Sequence, residues 1–143
     1  MDIRGVTPDD AAAIAELLGH LGYPAEPGTI PGRLRGIAAG GGHVMMAWHG
    51  DRPAGLIGVQ PFAAIHSAER IAYITALVVA PAVRGQGAGR ALVEAAADWA
   101  RAAGCIRLSV TSAEHRDGAH EFYPRVGFPY TGRRFTRSLG ERE

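Results

Sequence analysis

Apolar residues recur along the chain with two periods, and the switches between them lay out the elements. Ile3 and Val6 belong to a short opening strand. Thr7 then reads as an N-cap, with Pro8 at the first helical position and Asp9 and Asp10 near the positive end of the helix dipole. Ile14, Leu17, Leu18 and Leu21 follow at helical spacing, so residues 8–21 are expected to form an amphipathic helix that stops at Gly22-Tyr23-Pro24. Ile30, Leu34 and Ile37 mark a weaker helix near 29–38. The pattern then changes to strands at 43–48, 54–62 and 70–79, the first two joined by the hairpin-like turn His49-Gly50-Asp51-Arg52. Leu92, Val93, Ala96, Trp99, Ala100 and Ala103 make a strong helical stripe closed by Gly104. An apolar strand at 106–110, a short helix near 117–123 and weak alternation over 128–139, read as one or two last strands, complete the chain. The order β-α-α-β-β-β-α-β-α-β predicts a mixed α/β domain with one central sheet.

The 143 residues suit a single domain, 1–143, with a core large enough to need no covalent staples. A formal charge of +1 argues against a nucleic-acid binder. Cys105 is the only cysteine, which removes any intrachain disulfide framework and any cysteine-rich zinc site. The six histidines follow no metal-binding spacing, so no metal is expected. No apolar run is long enough to span a bilayer, and the start lacks a signal core, so no membrane association and a cytoplasmic location are expected. Every basic residue is arginine, since the chain contains no lysine. Lysine Schiff-base chemistry and a lysine-bearing phosphate loop are thereby excluded.

The stretch from Val78 to Arg90 runs strand, glycine-rich turn, helix. Backbone N–H groups at a helix start are unpaired and sit at the positive dipole end, so glycines there let a large anion approach the main chain. Arg84 and Arg90 can add charge-assisted contacts to phosphate oxygens. A dinucleotide fingerprint is rejected, because the residue three after Gly87 is Arg90 instead of glycine.

Arg84-x-x-Gly87-x-Gly89 resembles the Arg/Gln-x-x-Gly-x-Gly/Ala signature of the GNAT family of N-acetyltransferases. A second stretch, from Ala119 through Phe122-Tyr123 to Gly127-Phe128, is similar to that family's Ala-x-x-Phe-Tyr-x-x-x-Gly-Phe. The resemblance implies a GNAT-like central mixed, mostly antiparallel β-sheet flanked by helices, with a splayed V between the fourth and fifth strands. It implies acetyl-coenzyme A (acetyl-CoA) as co-substrate, its pyrophosphate on Arg84, Gly85, Gln86, Gly87, Ala88, Gly89 and Arg90, with a further contact from Arg116. The pantetheine arm would lie along Leu77, Val78 and Val79, with a backbone N–H near Val79 aimed at the thioester carbonyl. Tyr123 matches the tyrosine that many relatives place beside the sulfur as general acid.

Three positions depart from the family pattern. Pro124 follows Tyr123 and should kink or end the helix there. Arg116 stands where many relatives carry asparagine. Tyr73 stands where many carry a glutamate base, and a phenol is a poor base at neutral pH. Glu69, His66, His115 and His120 are candidates by proximity in sequence, as is a water chain. The resemblance assigns the acceptor pocket to the two early helices and their loop, which hold Tyr23, Pro24, Glu26, Arg33 and Arg35, and Tyr73 is a further substrate-binding candidate. With Glu26 the one carboxylate there, a small neutral or partly anionic primary amine is expected, such as an amino-acid derivative. The competing expectations are a catalytically silent acyl-CoA sensor and an acetyltransferase acting on protein N-termini or lysines; a homodimer is compatible with each.

Overall fold

The computed structural model describes residues 1–110, 117–132 and 135–140. The chain divides into two compact units, Met1–Val110 and Thr111–Glu143.

In the first unit, β1 (Asp2–Gly5), β2 (His43–His49), β3 (Arg52–Ala63), β4 (Arg70–Val79) and β5 (Cys105–Val110) form one sheet in sequence order. The first three pairings are antiparallel; β4 and β5 are parallel, as the intervening helix requires. α1 (Ala11–Leu21) starts after a 3-10 turn at Pro8–Asp10, where the Thr7 N–H donates to the Asp10 carboxylate at 2.8 Å. Ile14 and Leu17 point from α1 into a core shared with Val44, Met46, Trp48, Leu56 and Val78. α2 (Ile30–Ala39) adds the buried Ile30 to that core, and the Gln60 side chain ties its end by donating to the Gly40 carbonyl at 2.6 Å.

α3 (Ala88–Ala102) covers the opposite face. His43 alternates with the core-facing Val44, and its ring stacks on Trp99 of α3 with centroids 5.4 Å apart. Leu92, Val93, Ala96 and Ala100 are buried at helical spacing, and α3 lies so close to β3 that a Cβ on Gly55 would stand 2.8 Å from Leu92 Cδ1.

Between Gly58 and Val59 the β3–β4 register slips, since Gly58 pairs with Ala76 and Val59 with Ile74. Thr75 is therefore an extra residue, a β-bulge, and Gly58 makes room for it: a Cβ there would meet Thr75 Oγ1 at 2.7 Å. Above the bulge Val78 faces α1; below it Tyr73, paired with Gln60, faces the same side, while Ala72 and Ile74 face α3.

In the second unit, α4 (Asp117–Arg125) runs two residues past the expected end, with Pro124 inside its last turn. The strands expected over 128–139 are not found: the described residues of that stretch hold no regular secondary structure. Pro129 lacks an N–H for a ladder and Gly132 has no side chain to pack, which makes the stretch a poor strand former. Tyr130, Phe135 and Leu139 are exposed there.

Candidate functional site

β4 delivers the chain to a loop built on two left-handed glycines. Ala80 still belongs to the sheet, its N–H donating to the Ala54 carbonyl at 2.8 Å. One 3-10 turn follows at Pro81–Val83, and then Gly85 and Gly87 adopt φ of +81° and +87°. A Cβ at either glycine would meet open space, so the backbone conformation, and not crowding, excludes a side chain. α3 begins at the next residue. The N–H groups of Gln86, Gly87, Ala88 and Gly89 have no acceptor among the described residues. These successive donors at the start of a 15-residue helix, with its dipole behind them, suit a phosphate or pyrophosphate. Arg84 and Arg90 are exposed on either side of them.

The upper half of β4 supplies a second feature. The β4–β5 ladder ends at the pair Ile74 and Val110, whereas β4 continues to Val79. Beyond Ile74 that edge has no partner among the described residues, which on the β5 side end at Val110. Since Ala80 turns its N–H toward β3, alternation turns the N–H and C=O of Val79 and Leu77 toward the open edge. Val78 turns the other way, its side chain in the core beside α1.

The remaining candidate residues are spread more widely. Tyr73 is partly buried near the last described rung of the β4–β5 ladder, edge-on to Phe62 at 5.7 Å, with Ser109 beside it on β5. Glu69 precedes β4 and makes a 3.9 Å ion pair with Arg107. The ten residues of strand from Glu69 to Val79 span about 30 Å, so the two are not brought together. Tyr23 is exposed directly after the end of α1, and Glu26 caps the short turn before α2, its carbonyl accepting from the Thr29 hydroxyl at 2.8 Å. Arg116 and His115 lie outside the described residues.

In the second unit Tyr123 occupies a defined corner of α4. Its carbonyl accepts the Phe128 N–H at 2.9 Å, and the Pro124 carbonyl accepts the Gly127 N–H at 3.3 Å. With Gly127 at φ +96° these bonds are a Schellman motif, whose apolar contact is the edge-to-face pair of Tyr123 and Phe128 at 5.8 Å. Phe122 packs edge-on to Tyr123 at 5.3 Å. α4 ends one residue after Pro124, so the helix closes almost as soon as the proline is reached.

A cleft of about 530 Å³ in the first unit escaped the sequence reading. Glu16 and His20 of α1, His49 and Arg52 of the β2–β3 turn, Ala80 and Gln86 all line it. Residues 16 and 52 share no motif, so only the folded sheet joins them. Among the described residues no three metal-ligating side chains gather, and no helix is long and apolar enough to cross a membrane.

Comparison with known proteins gives a consistent picture. The model of the acetyltransferase (GNAT) family matches residues 12–128. The chain is 34% identical over 97 residues to the aminoalkylphosphonate N-acetyltransferase of Salmonella typhimurium, covering 68% of this chain and 63% of that one. It is 30% identical over 138 residues to the aminoglycoside N(6')-acetyltransferase type 1 of Stenotrophomonas maltophilia, covering 92% and 88% respectively. Among solved structures, a Trypanosoma brucei acetyltransferase superposes with a TM-score of 0.83 at 24% identity, covering 96% of this chain and 99% of that one. An aminoglycoside 6'-N-acetyltransferase from Acinetobacter haemolyticus superposes with a TM-score of 0.84 at 16% identity, covering 99% and 100%. At these identities the structural matches establish a common fold.

Proposed function

Because the chain belongs to the GNAT acetyltransferase family, we propose that it moves the acetyl group of acetyl-CoA to a primary amine of a small molecule. The observation that carries this reading is the sequence of free amides from Gln86 to Gly89 at the start of α3, directly after β4. The amides, with Arg84, Gly85 and Arg90, bind the pyrophosphate, and Arg116 adds a contact. The open edge at Leu77 and Val79 pairs with the amides of the pantetheine arm, as an added strand would. The Val79 N–H donates to the thioester carbonyl oxygen, where negative charge grows during attack.

The amine nitrogen forms the new C–N bond as the C–S bond breaks, and the nitrogen's proton leaves to solvent. Tyr123 gives the departing thiolate a proton and regains one from water. Water removes the amine proton; Glu69 acts at most from a distance, through its pair with Arg107. Tyr23, Glu26 and Tyr73, the acceptor residues expected from the sequence, do not line the cleft beside the phosphate loop. The aminoalkylphosphonate and aminoglycoside enzymes among the relatives support a small-molecule amine as acceptor.

Acetyl-CoA and free CoA should both raise the melting temperature, and thiol release should then require an added amine. Tyr123→Phe should retain the thermal shift and lower kcat by about 10²- to 10⁴-fold. If neither ligand shifts the melting temperature, the reading falls; a shift with no release on any amine, peptide N-termini and lysines included, would mean a silent acyl-CoA sensor.

A further inference from the structure

The cleft beside the donor loop has a charge pattern that the donor does not need. One wall, from α1, carries Glu16 with His20 one helical turn on; another, from the β2–β3 turn, carries Arg52 and His49. Neither Glu16 nor Arg52 has an ion-pair partner among the described residues. The cleft thus offers one carboxylate and one guanidinium, with two imidazoles that can donate or accept a hydrogen bond. Its volume of about 530 Å³ suits a small organic ligand. A polycation would meet Arg52 as well as Glu16, and a simple dianion would meet Glu16 as well as Arg52. A small molecule with an ammonium at one end and an acid at the other meets both walls favourably.

The cleft also lies where an acceptor is useful. Ala80 lines it and directly follows Val79, whose N–H faces the open strand edge, while Gln86 belongs to the phosphate loop. We propose that this cleft selects the acceptor, holding a small amine that carries an acidic group, with the acid on Arg52 and His49 and the amine toward Glu16. Guanidinium bonds carboxylate or phosphonate with two parallel N–H donors, which fixes orientation as well as charge. The inference rests on the acetyl-transfer reading and adds the substrate class to it.

The test compares β-alanine and 2-aminoethylphosphonate with propylamine, which has no acid, using thiol release at saturating acetyl-CoA. The wild-type chain should favour both acidic amines. In Arg52→Gln the ratio of kcat/KM for β-alanine over that for propylamine should fall by about tenfold or more, the scale of a lost charge-assisted pair. Arg52→Lys should recover part of the ratio, and the CoA-induced thermal shift verifies that each variant is folded. An unchanged ratio in Arg52→Gln, with propylamine still acetylated, overturns the cleft assignment and leaves acetyl transfer standing. No thiol release by the wild-type chain with any amine overturns both.

Discussion

In α4 the Tyr123 side chain owes its setting to two residues that do no chemistry. Gly127 supplies the left-handed turn that closes the helix, and Phe128 packs edge-on to the Tyr123 ring. Gly127→Ala forces an L side chain into that conformation and should cost about 1–2 kcal/mol. Its kcat should fall while its acetyl-CoA affinity changes little, which stopped-flow and calorimetry can separate. At Gly87 the same substitution carries the same conformational cost, but there it disturbs the free amides, so acetyl-CoA binding itself should weaken. Both glycines were legible in the sequence, because motif spacing marks them directly. Pro124 was legible too, as a residue that ends its helix, and α4 stops one residue beyond it. The cleft residues were hidden, since His49 and Arg52 read only as turn formers and Glu16 as a solvated helix position.

At the scale of elements, α1 and α3 hold the sheet from opposite faces, and their periodicity announced them correctly. Leu17 is fully buried at the centre of the α1 face, so Leu17→Ala should cost about 2–5 kcal/mol in chemical denaturation. On the α3 face the close approach at Gly55 leaves no room for a methyl group; Gly55→Ala should cost about 1–3 kcal/mol through overpacking. The strands were legible for the same reason as the helices, with alternation that matches a half-buried sheet. What alternation could not reveal was the slip in β4, because one extra residue leaves both halves of the strand equally regular. It also misled at the chain's end, where weak alternation over 128–139 was interrupted by Pro129 and Gly132.

At the scale of the molecule, donor binding should be coupled to stability. A ligand that binds only the folded chain adds about 2.7 kcal/mol at a hundred times its dissociation constant, so acetyl-CoA should raise the melting temperature in a concentration-dependent way. Gly87→Ala should blunt that rise, and Arg52→Gln should not, because the donor loop and the cleft wall carry different parts of the substrate pair. The absence of lysine fits the proposed arrangement, in which anion binding rests on backbone amides and arginine, and it leaves no lysine side chain for the proposed donor to modify.

The bulge at Thr75 also limits how this part of the chain can change in length. Below it Ala72 and Ile74 are buried against α3, and above it Val78 is buried against α1. Loss of one residue between them would remove the bulge and leave plain alternation, with Ile74, Val78 and Tyr73 still on their present faces. Loss of two would turn one half of the strand inside out and send either Ile74 or Val78 into solvent. Chains descended from this one should therefore either keep the extra residue between Ile74 and Val78 or lack it alone.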